Sequence, residues 1–278
     1  TGTFTGLVDA ATIDGVNFKV NGGQGSDGQV LTSTGSGVAW ESVAGGPTFK
    51  TFGTGSIMVG DDATGTIDAA DNNTALGVDV FAALTSGDNN TAVGFAALDA
   101  NTTASNNTAV GKSSLGANTT GASNVAVGDG AFNANTTASN GVAVGCEALK
   151  SNTNADQNTA IGYQSIYSNT TGSQNTAVGY QSLYRNTNST NTAVGSQALY
   201  NNQSGNTNVA MGQRAAYTNN SGDYNVALGV QSLYLNSSGN NNVAVGHRSL
   251  YNNTAADNTA VGSDALTANT TGTQNNAF

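Results

Sequence analysis

Proline, cysteine, tryptophan and histidine occur once each in this 278-residue chain, and only 9% of its residues are charged. These shortages exclude a good deal. A lone Cys146 cannot form an intrachain disulfide, and with His247 as the single imidazole it cannot supply the four ligands of a structural zinc site. His247 also leaves no second imidazole to act as base in a nucleophile–base pair elsewhere in the chain. Glutamate occurs twice, as Glu41 and Glu147, and the acidic residues do not recur on one face, so the paired carboxylates of a glycosidase are not expected. Seven Lys and Arg, scattered along a sequence of net charge −10, make no basic stripe for nucleic acid. No apolar run reaches the roughly 18 residues of a membrane-spanning helix. The expectation is a chain that is not an enzyme, with no catalytic residues, no metal and no cofactor.

What is abundant is small and polar. Thirty-seven Gly accompany many Asn, Thr, Ser and Ala, too little bulk for a wide core but enough for a narrow one. Composition alone would allow disorder, but the sequence is periodic. A glycine following Thr/Val-Ala-Val recurs at 60, 77, 94, 111, 128, 145, 162, 179, 195, 212, 229, 246 and 262, and ten of the twelve spacings are 17 residues, the other two 16. Two residues before this glycine stands Ala in all copies but Met58; one before it the side chain is always apolar. Four after it comes a second apolar row, from Phe81 and Leu98 to Leu266, and seven after it Asn, from Asn101 to Asn269. The two 16-residue copies lose their residue in the polar stretch that follows, where a surface loop tolerates deletion.

The β-branched run before the glycine predicts a strand, and the whole unit reads as strand, glycine bend, short strand and polar turn. Such a unit is one coil of an all-β parallel β-solenoid, or β-roll, of about 13 coils, with asparagine ladders at two positions. At about 4.8 Å per coil the rod would be roughly 60 Å long. Residues 51–278 are assigned to this solenoid, which is expected to continue beyond 278, and residues 1–50 to a β-hairpin connector or capping module. Ala on one strand face and Thr/Val with Val on the other leave neither face polar, which predicts a second covering and hence a homotrimer.

The unit Asn175-Thr176-Ala177-Val178-Gly179-Tyr180-Gln181-Ser182-Leu183-Tyr184 resembles the repeats of phage tail fibres and related bacterial fibre proteins. Its Asn-Thr-Ala-Val-Gly core is also similar to the Ser/Asn-Val-Ala-Ile-Gly motif in the heads of trimeric autotransporter adhesins, although the 17-residue coil is longer than theirs. The resemblance covers about residues 56–278. It implies a left-handed parallel β-roll in a trimer, a structural fibre of a virion or the extracellular surface, and a part in host attachment; a bacterial adhesin or extracellular filament subunit is the alternative. The segment 25–41 resembles a hairpin module found upstream of such repeats, with Val30, Leu31, Val38 and Trp40 expected as its small core. Implied partners are the chain itself, laterally and end to end, and host-surface glycans, with no nucleic acid and no membrane insertion.

One surface row stands out. Five residues after the glycine, six consecutive copies carry Tyr167, Tyr184, Tyr200, Tyr217, Tyr234 and Tyr251. They are expected to form an aromatic ladder facing solvent or a neighbouring chain, either packing or stacking on sugars. Asn-x-Thr/Ser sequons such as Asn101-Thr-Thr read as turn chemistry and an asparagine ladder rather than glycosylation acceptors. Asp61, Asp62, Asp68 and Asp71 cluster without the spacing of a calcium loop. An ice-binding face is disfavoured because Thr three before the glycine alternates with Val and is expected to be buried.

Overall fold

The computed structural model describes residues 56–60 and 70–278, together with the backbone of short strands between 19 and 50. The chain divides into two units, 1–48 and 49–278. In the first, the strands Gln29–Ser33 and Val38–Ser42 pair antiparallel, with Leu31 opposite Trp40. The side chains of Val30, Leu31, Val38 and Trp40, and the residues Asp61, Asp62 and Asp68, lie outside the described residues.

The second unit is a parallel β-solenoid of about 12 turns, with no helix among the described residues. Its strands, three or four residues in most coils, run from Ile57–Gly60 and Thr74–Gly77 to Thr259–Val261 and Asn276–Ala277. Each pairs only with the coil before and the coil after, in a register that sets Ala126 against Ala109 and Ala143, and Val127 against Val110 and Val144. The 16-residue coils keep this register, as Ala177 against Ala193 and Ala244 against Ala260 show. Their missing residue is absorbed in the turn.

The anchoring glycine is required on two counts. Its φ lies between 126° and 142°, where an L side chain is strained. A Cβ on Gly145 would also sit 2.6 Å from the carbonyl oxygen of Gly162 in the next coil. Inward from the glycine column lie the Ala row, the small residue three after glycine and the Leu/Phe row after that, all essentially without solvent exposure from Ala92 to Leu250.

The expected second strand is not one. After the glycine the chain runs through turns, and residues two and four positions on adopt left-handed backbone: Gln181 and Leu183 at φ 50°, Gln197 at 57° and Leu199 at 48°. Such conformations cost about 1–2 kcal/mol per non-glycine residue. Neighbouring coils impose them, because the amides of these two residues reach to opposite coils: Gln181 N–H donates back to Tyr163 O at 2.9 Å, Leu183 N–H forward to Ala198 O at 3.0 Å.

Two buried asparagine ladders run along the stack, interrupted at Leu84 and Gly141. Four before the glycine, Asn107 accepts on Oδ1 from the backbone N–H of Asn124 at 2.9 Å and donates its amide to Gly121 O at 3.0 Å. Seven after the glycine, Asn135 donates to Asn118 Oδ1 at 2.8 Å and to Ala138 O at 3.0 Å. The sequon residues Asn101, Asn118, Asn135 and Asn169 are therefore fully enclosed and hydrogen-bonded, with no amide presented to solvent.

Candidate binding surfaces

The inside of each described coil is filled, so a partner of the solenoid meets its outward rows. Three features stand there: an apolar face, a tyrosine ladder and a polar ladder beside it.

The apolar face comes from the strands. Ala points in, so the residues on either side of it point out: the burial of Thr159-Ala160-Ile161 runs half-buried, buried, exposed. Ile57, Leu76, Val127, Ile161, Met211 and Val261 are exposed, as are Val78, Phe95, Tyr163, Tyr180 and Val230 in the slot just after the glycine. Most of the exposed large apolar side chains thus fall into three adjacent rows. The rows one and three before the glycine contain only Thr, Val, Ile, Leu and Met, and no charge in any coil. Thr three before the glycine is half-buried or exposed on the single chain, not enclosed, because the inward position belongs to Ala. Its alternation with Val along the row remains.

The six tyrosines 167, 184, 200, 217, 234 and 251 stack in register, with ring centroids 5.0–5.3 Å apart and interplanar angles of 4–10°. Their faces are covered by one another, so the ladder turns ring edges outward rather than ring planes. Sugar stacking on a ring face, one of the two expectations for this row, has no open face inside the ladder. Lys150 occupies the same slot one coil earlier, its Nζ 5.5 Å from the Tyr167 centroid. A second pair, Tyr163 and Tyr180, stacks at 5.7 Å in the slot after the glycine.

Beside the tyrosines, the slot two after the glycine carries a chain of side-chain hydrogen bonds. Gln164 donates to Glu147 Oε2 at 2.8 Å, Gln181 to Gln164 at 2.9 Å, Gln197 to Gln181 at 3.2 Å, and Arg214 Nε to Gln197 Oε1 at 3.0 Å. A carboxylate thus ends the chain on the acceptor side and a guanidinium on the donor side. The hydrogen bond from Lys150 and then that from Gln164 hold the Glu147 carboxyl below its ordinary value of 4.5, and the same contact raises Lys150 above 10.5.

At Gly130 this row loses its side chain, which opens a hollow of about 300 Å³ lined by Lys112, Ser113, Asp129, Asn133, Glu147 and Lys150. A Cβ there would meet only Glu147 Cγ at 3.9 Å, so the glycine is not forced by crowding.

The reactive residues are not gathered. Cys146 is half-buried in the slot after the glycine, and burial followed by the carboxylates of Glu147 and Asp129 pushes its thiol up, away from the thiolate a nucleophile needs. His247 stands in the same slot, six coils further on. Asp99 is raised by burial and by Asp79. No group of three His, Cys, Asp or Glu that could hold a metal ion occurs among the described residues. Among those residues no helix is long and apolar enough to cross a membrane. No family model, curated protein or solved structure matches this chain.

Proposed function

We propose that this chain is the shaft of a structural fibre, a phage tail fibre or similar virion appendage, working as a homotrimer outside the cell and contributing to attachment at a host surface. The observation that carries this reading is the stack itself. Each coil's strand, glycine and asparagines bond to the same groups in the next, an architecture that gives length and stiffness. The likeness of residues 175–184 to tail-fibre repeats supports the virion setting. The similar motif in adhesin heads supports the second reading, a bacterial surface adhesin or filament.

The uncharged apolar face supports the trimer. A contiguous apolar patch of more than a few hundred Å² marks an interaction site. Thirteen coils at about 4.8 Å, with two outward residues each, offer an area of that order. A second and third copy have the matching coil spacing.

Light scattering with electron microscopy tests both parts. Wild-type protein should be trimeric rods at least about 60 Å long. Val178→Lys with Val194→Lys, which puts two charges on the face, should give single rods of the same length. Compact round particles would overturn the shaft reading, and a wild-type monomer would overturn the trimer.

A further inference from the structure

Three of the seven basic residues, the arginines, are far apart in sequence but fall on alternate coils of one segment of the stack. In the six coils anchored by Gly162 to Gly246, the slots one, two, five and six after the glycine contain no Asp or Glu. They contain Arg185, Arg214 and Arg248, and these are the six coils whose fifth slot is Tyr. Glu147 and Asp264, in the second slot, bound the segment on either side. The acids of these coils, Asp156, Asp223 and Asp257, lie five or six residues before the glycine, in the polar turn. A chain of net charge −10 therefore carries one locally positive stripe, and a charged group is felt over about 8–10 Å at ordinary salt.

The arginines are held but not consumed by the protein. The guanidinium carbons of Arg214 and Arg248 lie 5.8 and 4.8 Å from the ring centroids of Tyr217 and Tyr251, which limits their rotamers. Arg214 uses Nε for Gln197 and Arg248 Nε forms an ion pair with Asp264 Oδ1 at 3.9 Å, which leaves the terminal N–H groups of both without a partner among the described residues. Arg185 is exposed, and its side chain makes no hydrogen bond or ion pair among the described residues. Arg214 and Arg248 share a slot two coils apart, about 10 Å along the axis at ~4.8 Å per coil. That is the length of one disaccharide. A guanidinium fork matches carboxylates and sulfates, and the phenolic edges between the arginines can meet sugar hydroxyls.

We propose that the stripe along the tyrosine ladder binds a linear acidic polysaccharide lying parallel to the fibre axis, its carboxylate or sulfate groups meeting the arginines at alternate coils. The inference rests on the shaft reading and names the class of surface glycan the shaft would touch. Each contact is weak and screened; the repeated spacing supplies avidity.

The test measures binding of the intact chain to a sulfated glycosaminoglycan, a polyuronate, neutral dextran and double-stranded DNA at low salt. The comparison variant combines Arg185→Asn, Arg214→Gln and Arg248→Gln. Each replacement is a residue that other coils already hold in that slot, as Asn201 and Gln231 do, so the stack is retained and an unchanged melting curve verifies it. Wild type should bind one or both acidic glycans at least about tenfold tighter than dextran and DNA, and the variant should lose about tenfold or more of that affinity. The sulfated and uronate arms tell which anion is preferred. Absence of glycan binding, equal binding of dextran or DNA, or an unaffected variant would overturn the proposal. Rods that persist without glycan binding leave the shaft reading standing, whereas round particles remove that reading.

Discussion

Phe132 shows how tightly one residue is tied to the others of its coil. Its ring occupies space that an asparagine fills elsewhere: a Cβ on Gly141 would lie 2.4 Å from Phe132 Cε1, and Gly141 stands where the ladder otherwise has Asn. The coil of Phe81 likewise has Leu84 in place of its second ladder Asn. Gly141→Asn alone should therefore lower stability by about 1–3 kcal/mol through overpacking. Combined with Phe132→Leu it should recover to wild type or above, since the pair recreates the Leu115/Asn124 arrangement; thermal melting of both variants checks this. Left-handed backbone makes a second prediction. Ser113 has φ 53° in the slot where Gly130 has 62°. Ser113→Gly should melt at or above wild type, and Ser113→Val, with its branched Cβ, should cost about 1–2 kcal/mol.

The tyrosine ladder behaves as an element although no two of its members are neighbours in sequence. Tyr200 stacks on both Tyr184 and Tyr217, while Tyr251 stacks on Tyr234 alone among the six. At about 0.5–1.5 kcal/mol per aromatic pair, Tyr200→Ser should cost about twice what Tyr251→Ser costs, measured as loss of melting temperature under identical conditions. The polar ladder adds a small pH dependence. Glu147 has a lowered folded value, so its contribution is present above the unfolded carboxylate range and is lost as pH falls through the folded value. Lys150 has a raised value, so its contribution is complete below 10.5 and is lost at higher pH. Both side chains are substantially exposed, so the effect is small. Glu147→Gln should flatten the acid limb of a melting-against-pH curve without moving its centre. The period, the glycine column, the Ala and Leu rows and both asparagine ladders were legible in the sequence because each is a repeated demand of the coil interior. The turn run after the glycine was not. Leu183 and Leu199 have no local preference for positive φ; the N–H bonds they donate to Ala198 and Ala215 of the next coil, and the bonds their carbonyls accept from Asn186 and Asn202, hold them there. Nor could the sequence show that Thr176 and Val178 flank an inward Ala177 on one outward face, since alternation does not say which side is in.

For the whole molecule the governing fact is that each coil contacts only its neighbours, so stability accumulates along the stack and no coil stands alone. Side association and axial stacking then depend on different residues. In the proposed trimer the apolar rows carry the first, while the asparagines serve the second, which is why charges placed at Val178 and Val194 should separate chains without shortening them. The axial direction carries one more consequence. In the asparagine ladder seven after the glycine and in the glutamine row, the later coil's side-chain amide donates and the earlier coil's accepts, as Asn135 to Asn118 and Gln181 to Gln164 do. The amide dipoles of these two rows therefore add rather than cancel. Along these two rows a cross-section shows side-chain oxygens on one surface and side-chain N–H groups on the other, so the two ends of the solenoid are not equivalent. Two such surfaces complete each other head to tail, and like ends leave buried donors facing donors.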